Sequence, residues 1–236
     1  MGKKTLGLLL VFFCCATNLA LAKGTKPVQL AIWSPVQLFS DSDSIKGLRL
    51  NLLYTENKDV CGVNLGMGLA RTNGDLKGIS LGAVNWTAGS AYGFKAGLLN
   101  YTGKRSAGLD IGMVNIAQGG AKGIQLGIVN WEEGLFHGWQ CGAINEVNGP
   151  FVGFQCGLFN YAAEMSGLQL GFLNTTHSGT MAGFQCGLIN YAAEMSGLQL
   201  GIFNTTHSLN GLQIGLANYN GNKDPMVFMF IANWSF

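Results

Sequence analysis

Twelve residues recur at one fixed place of a repeated motif: Arg49, Asn64, Ser80, Lys95, Asp110, Gln125, Gln140, Gln155, Gln169, Gln185, Gln199 and Gln213. Each is the third residue of a unit that opens on glycine or a glycine-led variant of it. In an extended chain its side chain points opposite to its two apolar neighbours. Uncharged carboxamides beside glycine offer both space and hydrogen-bonding capacity, which suits the wall of a water-filled, weakly selective passage. Lys95 and Asp110, on successive strands, would pair across it. The expectation is a pore-lining ring. A plainer reading stays open: such sheet positions need something small and polar, and a solenoid would set the same Gln residues in a surface ladder.

Other reactive side chains are scattered or copied. His177 and His207 are one turn residue written twice, and His137 lies in another turn, so no metal site is expected. Glu164 and Glu194 are likewise one residue in two copies, better explained by turn solvation than by acid–base chemistry. Cys141, Cys156 and Cys186 share the fourth motif position, where other units carry Leu or Ile, and read as small apolar residues. With Cys61 they give no regular pairs, so no disulfide framework is expected. Nothing resembles a nucleophile elbow, a metalloprotease helix or a phosphate loop. Asn85, Asn100, Asn174, Asn204 and Asn233 fall in Asn-x-Ser/Thr sequons, but the Asn recurs equally without Ser/Thr, so its role is structural. No enzymatic activity and no cofactor are expected.

The elements that must position the twelve residues are the repeats themselves. The pattern Gly-x-x-x-Gly-x-x-Asn occurs ten times without a break, opening at Gly78, Gly93, Gly108, Gly123, Gly138, Gly153, Gly167, Gly183, Gly197 and Gly211. Degenerate copies begin at Gly47 and Gly62. In "GLQLGFLN" (167–174), Leu168, Leu170 and Phe172 take one face and Gly167, Gln169 and Gly171 the other. That period of two belongs to a strand, and two glycines per unit disfavour a helix. The intervals of six to eight residues hold turn formers such as "NGP" at 148–150. The sequence therefore predicts an all-β chain. A first strand at 27–39, tandem repeats over 47–218 and a terminal strand at 226–236 form one domain after residue 22.

Two architectures absorb such a unit: an up-and-down antiparallel meander closed as a β-barrel of about 14 strands, or a parallel β-solenoid of about 15 residues per coil. In the solenoid the Asn column would stack as an internal ladder and the Leu face would form a dry core. The barrel is favoured by the near-perfect copying of 153–178 as 183–208, a block two units long, because inserting a hairpin preserves strand direction. Residues after the motif Asn agree: Tyr101, Trp131, Tyr161, Tyr191 and Tyr219 alternate with smaller or polar ones, as at one rim of a membrane barrel. Phe228, Phe230, Trp234 and Phe236 share a face of the last strand. Carrying the repeat register to Met226 would put that face with the Gly/Gln side, so either the register slips near "GNKDP" (221–225) or the ending is not a membrane-barrel terminal strand.

Residues 1–22 hold Lys3 and Lys4, an apolar run and an Ala20-Leu21-Ala22 ending, the pattern of a cleaved secretory signal. Cys14 and Cys15 read as filler within it. Without Lys3 and Lys4, Lys+Arg falls from 14 to 12 against 12 Asp+Glu, so no basic face for nucleic acid is expected. Only 11% of residues are charged, where soluble domains carry about 25%. No other segment has the 18 apolar residues of a spanning helix.

The leader, "PVQLF" (35–39), "GLRLNLLY" (47–54), the repeat array and the Asn-Trp-Ser-Phe ending together resemble a family of bacterial surface-repeat proteins. The resemblance implies export to the outer membrane or cell surface of a bacterium and no enzymatic activity. With the barrel reading, the expected partners are the lipid bilayer and the barrel-assembly machinery, and the role is structural or that of a passive pore. With the solenoid reading, the chain is a secreted or surface-attached adhesin or spacer.

Overall fold

Neighbouring repeats lie parallel and in register. In the computed structural model, which describes residues 24–236, Gly108 stands between Gly93 and Gly123, Asp110 between Lys95 and Gln125, and Asn115 between Asn100 and Asn130. The segment read as a leader, with Cys14 and Cys15, lies outside the described residues. Parallel pairing of successive repeats means that each one returns the chain to its starting side, one strand spacing further along. The result is a β-solenoid of about 13 turns with about 15 residues per coil, all strand and turn and without a helix among the described residues.

The barrel expectation is thereby corrected, since a meander pairs neighbours antiparallel. Its error lay in treating the eight-residue motif as one straight strand. In several coils the strand is interrupted at the second glycine, as between β7 (Leu76–Leu81) and β8 (Val84–Thr87) or between β11 (Ala121–Leu126) and β12 (Val129–Glu132). Copying 153–178 as 183–208 therefore added two coils, not a hairpin.

Two close approaches explain the paired glycines. Gly153 has φ +139°, and a Cβ there would lie 2.0 Å from the Gly138 carbonyl oxygen of the previous coil. At the corner, a Cβ on Gly157 would fall 2.2 Å from the Gly142 oxygen and 2.5 Å from Nδ2 of Asn145. The first glycine lets strands stack at the bend, and the second makes room for the Asn amide.

The motif also faces the opposite way from the solenoid expectation. Gln and Asn are buried, whereas the Leu columns look outward, so both the dry Leu core and the surface Gln ladder are corrected. Each coil adds two further inner positions, which supply the apolar part of the interior. Phe136 and Phe151 stack with ring centroids 5.0 Å apart, continued by Met165, Met181, Met195 and Leu209 and met by Val147, Ala162 and Ala192 from the opposing side. Ile45, Val60, Leu76 and Ala91 form the equivalent stack near the start.

Both ends are modified strands. At the start, β1 (Thr25–Trp33) runs parallel to β3 (Ser44–Asn51), and β2 (Val36–Gln37) turns back antiparallel on β1. The buried Gln29 both donates to and accepts from the Phe39 backbone, closing that end. The expected first strand at 27–39 is thus a strand, a reversal and a short return. At the other end, β15 (Phe203–Asn220) is paired antiparallel by β16 (Phe228–Ser235), with a register shift between Gly215 and Asn218. Reversal and slip together put Asn233 inside against Gln213 and leave Phe228, Phe230, Trp234 and Phe236 exposed.

Candidate functional site

The twelve residues expected to line a pore are brought together in one column, but inside the solenoid wall and packed, with every residue 5% exposed or less. From Gln140 to Gln213 each Nε2 donates to the Oε1 of the Gln one coil earlier, at 2.7–3.0 Å. Facing it, the Asn column runs from Asn85 to Asn218, with each Nδ2 donating to the Oδ1 of the next Asn at 2.8–2.9 Å. The second Nδ2 proton reaches a corner carbonyl of the following coil, as from Asn145 to Cys156 at 2.8 Å. The two ladders donate in opposite directions, so their amide dipoles oppose each other across the interior.

The first five members of the column break the Gln pattern and bring charge inside. Arg49 donates from Nε to Asn64 at 2.7 Å and from its other nitrogens to the Arg71 carbonyl and the Thr72 hydroxyl. Burial lowers its pKa to about 9, so it stays charged at neutral pH. Asn64 donates to Ser80, which donates to Asn85 and so joins the two columns. Lys95 and Asp110 pair at 3.3 Å, as their spacing predicts, with Ser106 donating to Asp110 at 2.8 Å.

Sequence reasoning missed Glu132, which points inward beside this pair. Its Oε1 accepts from Gln125, and its Oε2 is buried with no partner. Burial holds its carboxyl well above the usual range; Asp110 acts in the same direction, and Gln125 and Lys95 oppose. The folded chain therefore binds this proton more tightly than the unfolded one. The stability so gained is complete below the ordinary carboxylate pKa, near 4.3, and is lost as pH rises toward the folded value. Glu132→Gln should be more stable than the parent at pH 8 by about 1–3 kcal/mol and equal to it near pH 4. Urea unfolding at the two pH values checks this, and a pH-independent difference would contradict it.

With the polar columns committed to one another, the surface open to a ligand is the outer one. Motif positions two, four and six hold only apolar residues or cysteine in every coil from Leu48 to Leu216. They form an uncharged stripe along the whole rod. Cys141, Cys156 and Cys186 are partly exposed free thiols within it. At its first end, β1 and β2 overhang the stripe and shape an apolar groove of about 1020 Å³, walled by Leu30, Ile32, Leu38, Leu50, Leu65 and Met67. Among the described residues, no group of His, Cys, Asp and Glu could hold a metal ion.

The unbroken apolar columns were visible in the sequence, but they served equally as lipid-facing strands or as a core, so their exposure on a solenoid was not. Comparison with family models, curated proteins and solved structures finds no match.

Proposed function

We propose that the chain is an exported, surface-attached β-solenoid that works as a rigid spacer or adhesin and carries no catalysis. The observation that carries this reading is the continuous stacking of about 13 coils. At a strand spacing near 4.8 Å they make a rod about 60 Å long, with its polar groups turned into its own interior. Such a rod holds a fixed distance and presents the same side chains along its length. The leader pattern of residues 1–22 supports export.

Two measurements test it. In a mild non-ionic detergent, scattering should give an elongated particle, and a compact globule would overturn the rod. On intact cells, an amine label that cannot cross membranes should modify the exposed Lys46, Lys77 and Lys122. Labelling only after lysis would overturn the surface location.

A further inference from the structure

The outer stripe is too large to be incidental. Its side chains together expose on the order of 2000 Å² of apolar surface, against about 300–600 Å² for the largest patch on ordinary monomers. We infer that this stripe seats the rod lengthwise in a phospholipid surface, at the boundary between headgroups and acyl chains. The inference rests on the solenoid of the previous section but not on its location in the cell.

Three observations favour lipid over a second protein surface. The first is the border. Position nine places Trp86, Tyr101, Trp131, Tyr161, Tyr191 and Tyr219 along one margin of the stripe, and Phe228 pairs opposite Tyr219 to extend the row. The polar tips of Trp131, Tyr161 and Tyr191 turn to residues beyond that margin, with the Tyr191 hydroxyl 3.3 Å from His207. The Trp131 indole N–H donates to Glu133 at 2.6 Å, and the Tyr161 hydroxyl meets His177 at 2.8 Å. Rings with an apolar body toward the stripe and a hydrated tip are the arrangement found at membrane interfaces.

The second is the opposite margin, a mixed column in which Lys46, Lys77, Lys122, Ser166 and Asn210 stand exposed among smaller or apolar residues such as Ala107 and Val152. Lysine stems can cover apolar surface while the ammonium stays in water. The third is relief. Successive residues in column six read Leu98, Met113, Ile128, Ala143, Leu158 and Phe172, without a regular alternation of large and small. A solid partner must match such relief, whereas acyl chains adapt to it. The terminal strand continues the stripe, since Trp234 pairs with Leu212 and Phe230 is exposed beyond it.

The test uses neutral phosphatidylcholine vesicles and the whole chain refolded from detergent. The protein should float with the vesicles, and flotation should survive high salt because no charge attraction is needed. Brominated phosphatidylcholine should quench Trp139, in the stripe, and Trp131, at its border. Leu98, Ile128 and Leu158 are each more than half exposed, so Asp at all three leaves the interior untouched. The triple variant should keep the parent's circular dichroism and lose vesicle affinity by at least about tenfold per site. A control away from the stripe, Glu164→Gln, exposed on the surface, should float like the parent.

Failure to float overturns the inference, as does flotation that the triple variant retains, or a vesicle-free dimer that buries the stripe and stays out of the lipid. Because the assay uses purified protein, its failure leaves the cell-labelling result standing, and a failed labelling leaves the vesicle result standing.

Discussion

Gly153→Ala should destabilise the chain by on the order of 4 kcal/mol. Two effects add: a non-glycine residue held at φ +139° costs about 1–3 kcal/mol, and a Cβ placed 2.0 Å from the Gly138 oxygen forces backbone apart for about 1–3 kcal/mol more. That oxygen belongs to the strand ladder and has no flexible end that could move aside. Ordinary domains have only about 5–15 kcal/mol in total, so the effect takes a large share. Stability in stacked repeats is a sum over neighbouring interfaces, and the lesion therefore falls first where it is made. Hydrogen exchange should show lost protection in the coils around Gly138, Gly153 and Gly167 before the ends. Val152→Thr, one residue away and facing outward, should change stability by no more than about 0.5 kcal/mol. An alanine variant that unfolds with the parent would refute the close-approach account.

Asn145→Leu should cost about 3–6 kcal/mol. The substitution removes the donor to Asn160 Oδ1 and to the Cys156 carbonyl, and the acceptor of Asn130 Nδ2, leaving three buried groups short of a bond at about 1–3 kcal/mol each. Leucine is close to asparagine in size, so the loss reads the hydrogen bonds more than a cavity. Asn218→Leu offers the comparison. Asn218 ends the column, accepting from Asn204 and donating to the Gly215 and Met229 carbonyls beside the antiparallel cap. With one neighbouring Asn instead of two, its loss should be smaller and confined to the last coil, as limited proteolysis followed by mass spectrometry would show. Equal losses at the two sites would mean that the column does not act as a connected ladder.

The two variants probe the same motif from its two ends, and what each needs was legible to different degrees. Under the solenoid alternative the recurrent Asn at the eighth position stacks internally, and the stack from Asn85 to Asn218 is there. Adjacency of Lys95 and Asp110 followed from repeat spacing alone, because any regular sheet brings equivalent positions together. Glu132 was hidden because its position holds Ala117, Val147 and Ala162 in neighbouring repeats, and no periodic signal marks a single inward carboxylate.

By itself the sequence determined that the chain is built of equivalent two-faced β-units, with apolar residues on one face and Gly and Gln on the other, in a fixed phase along the array. Only the tertiary structure decided how those units pair and which face is inside. Alternation specifies two faces and is the same for parallel and antiparallel neighbours. The choice is made at the corners, where Gly157 and its equivalents bend the motif so that Asn145 and its equivalents can reach both the next Asn and a backbone carbonyl. Once the amides of the Asn85–Asn218 and Gln125–Gln213 columns are bonded to those of the coils above and below, polar side chains can fill an interior and leave the leucines outside. That balance of buried hydrogen bonds exists only when the coils are stacked.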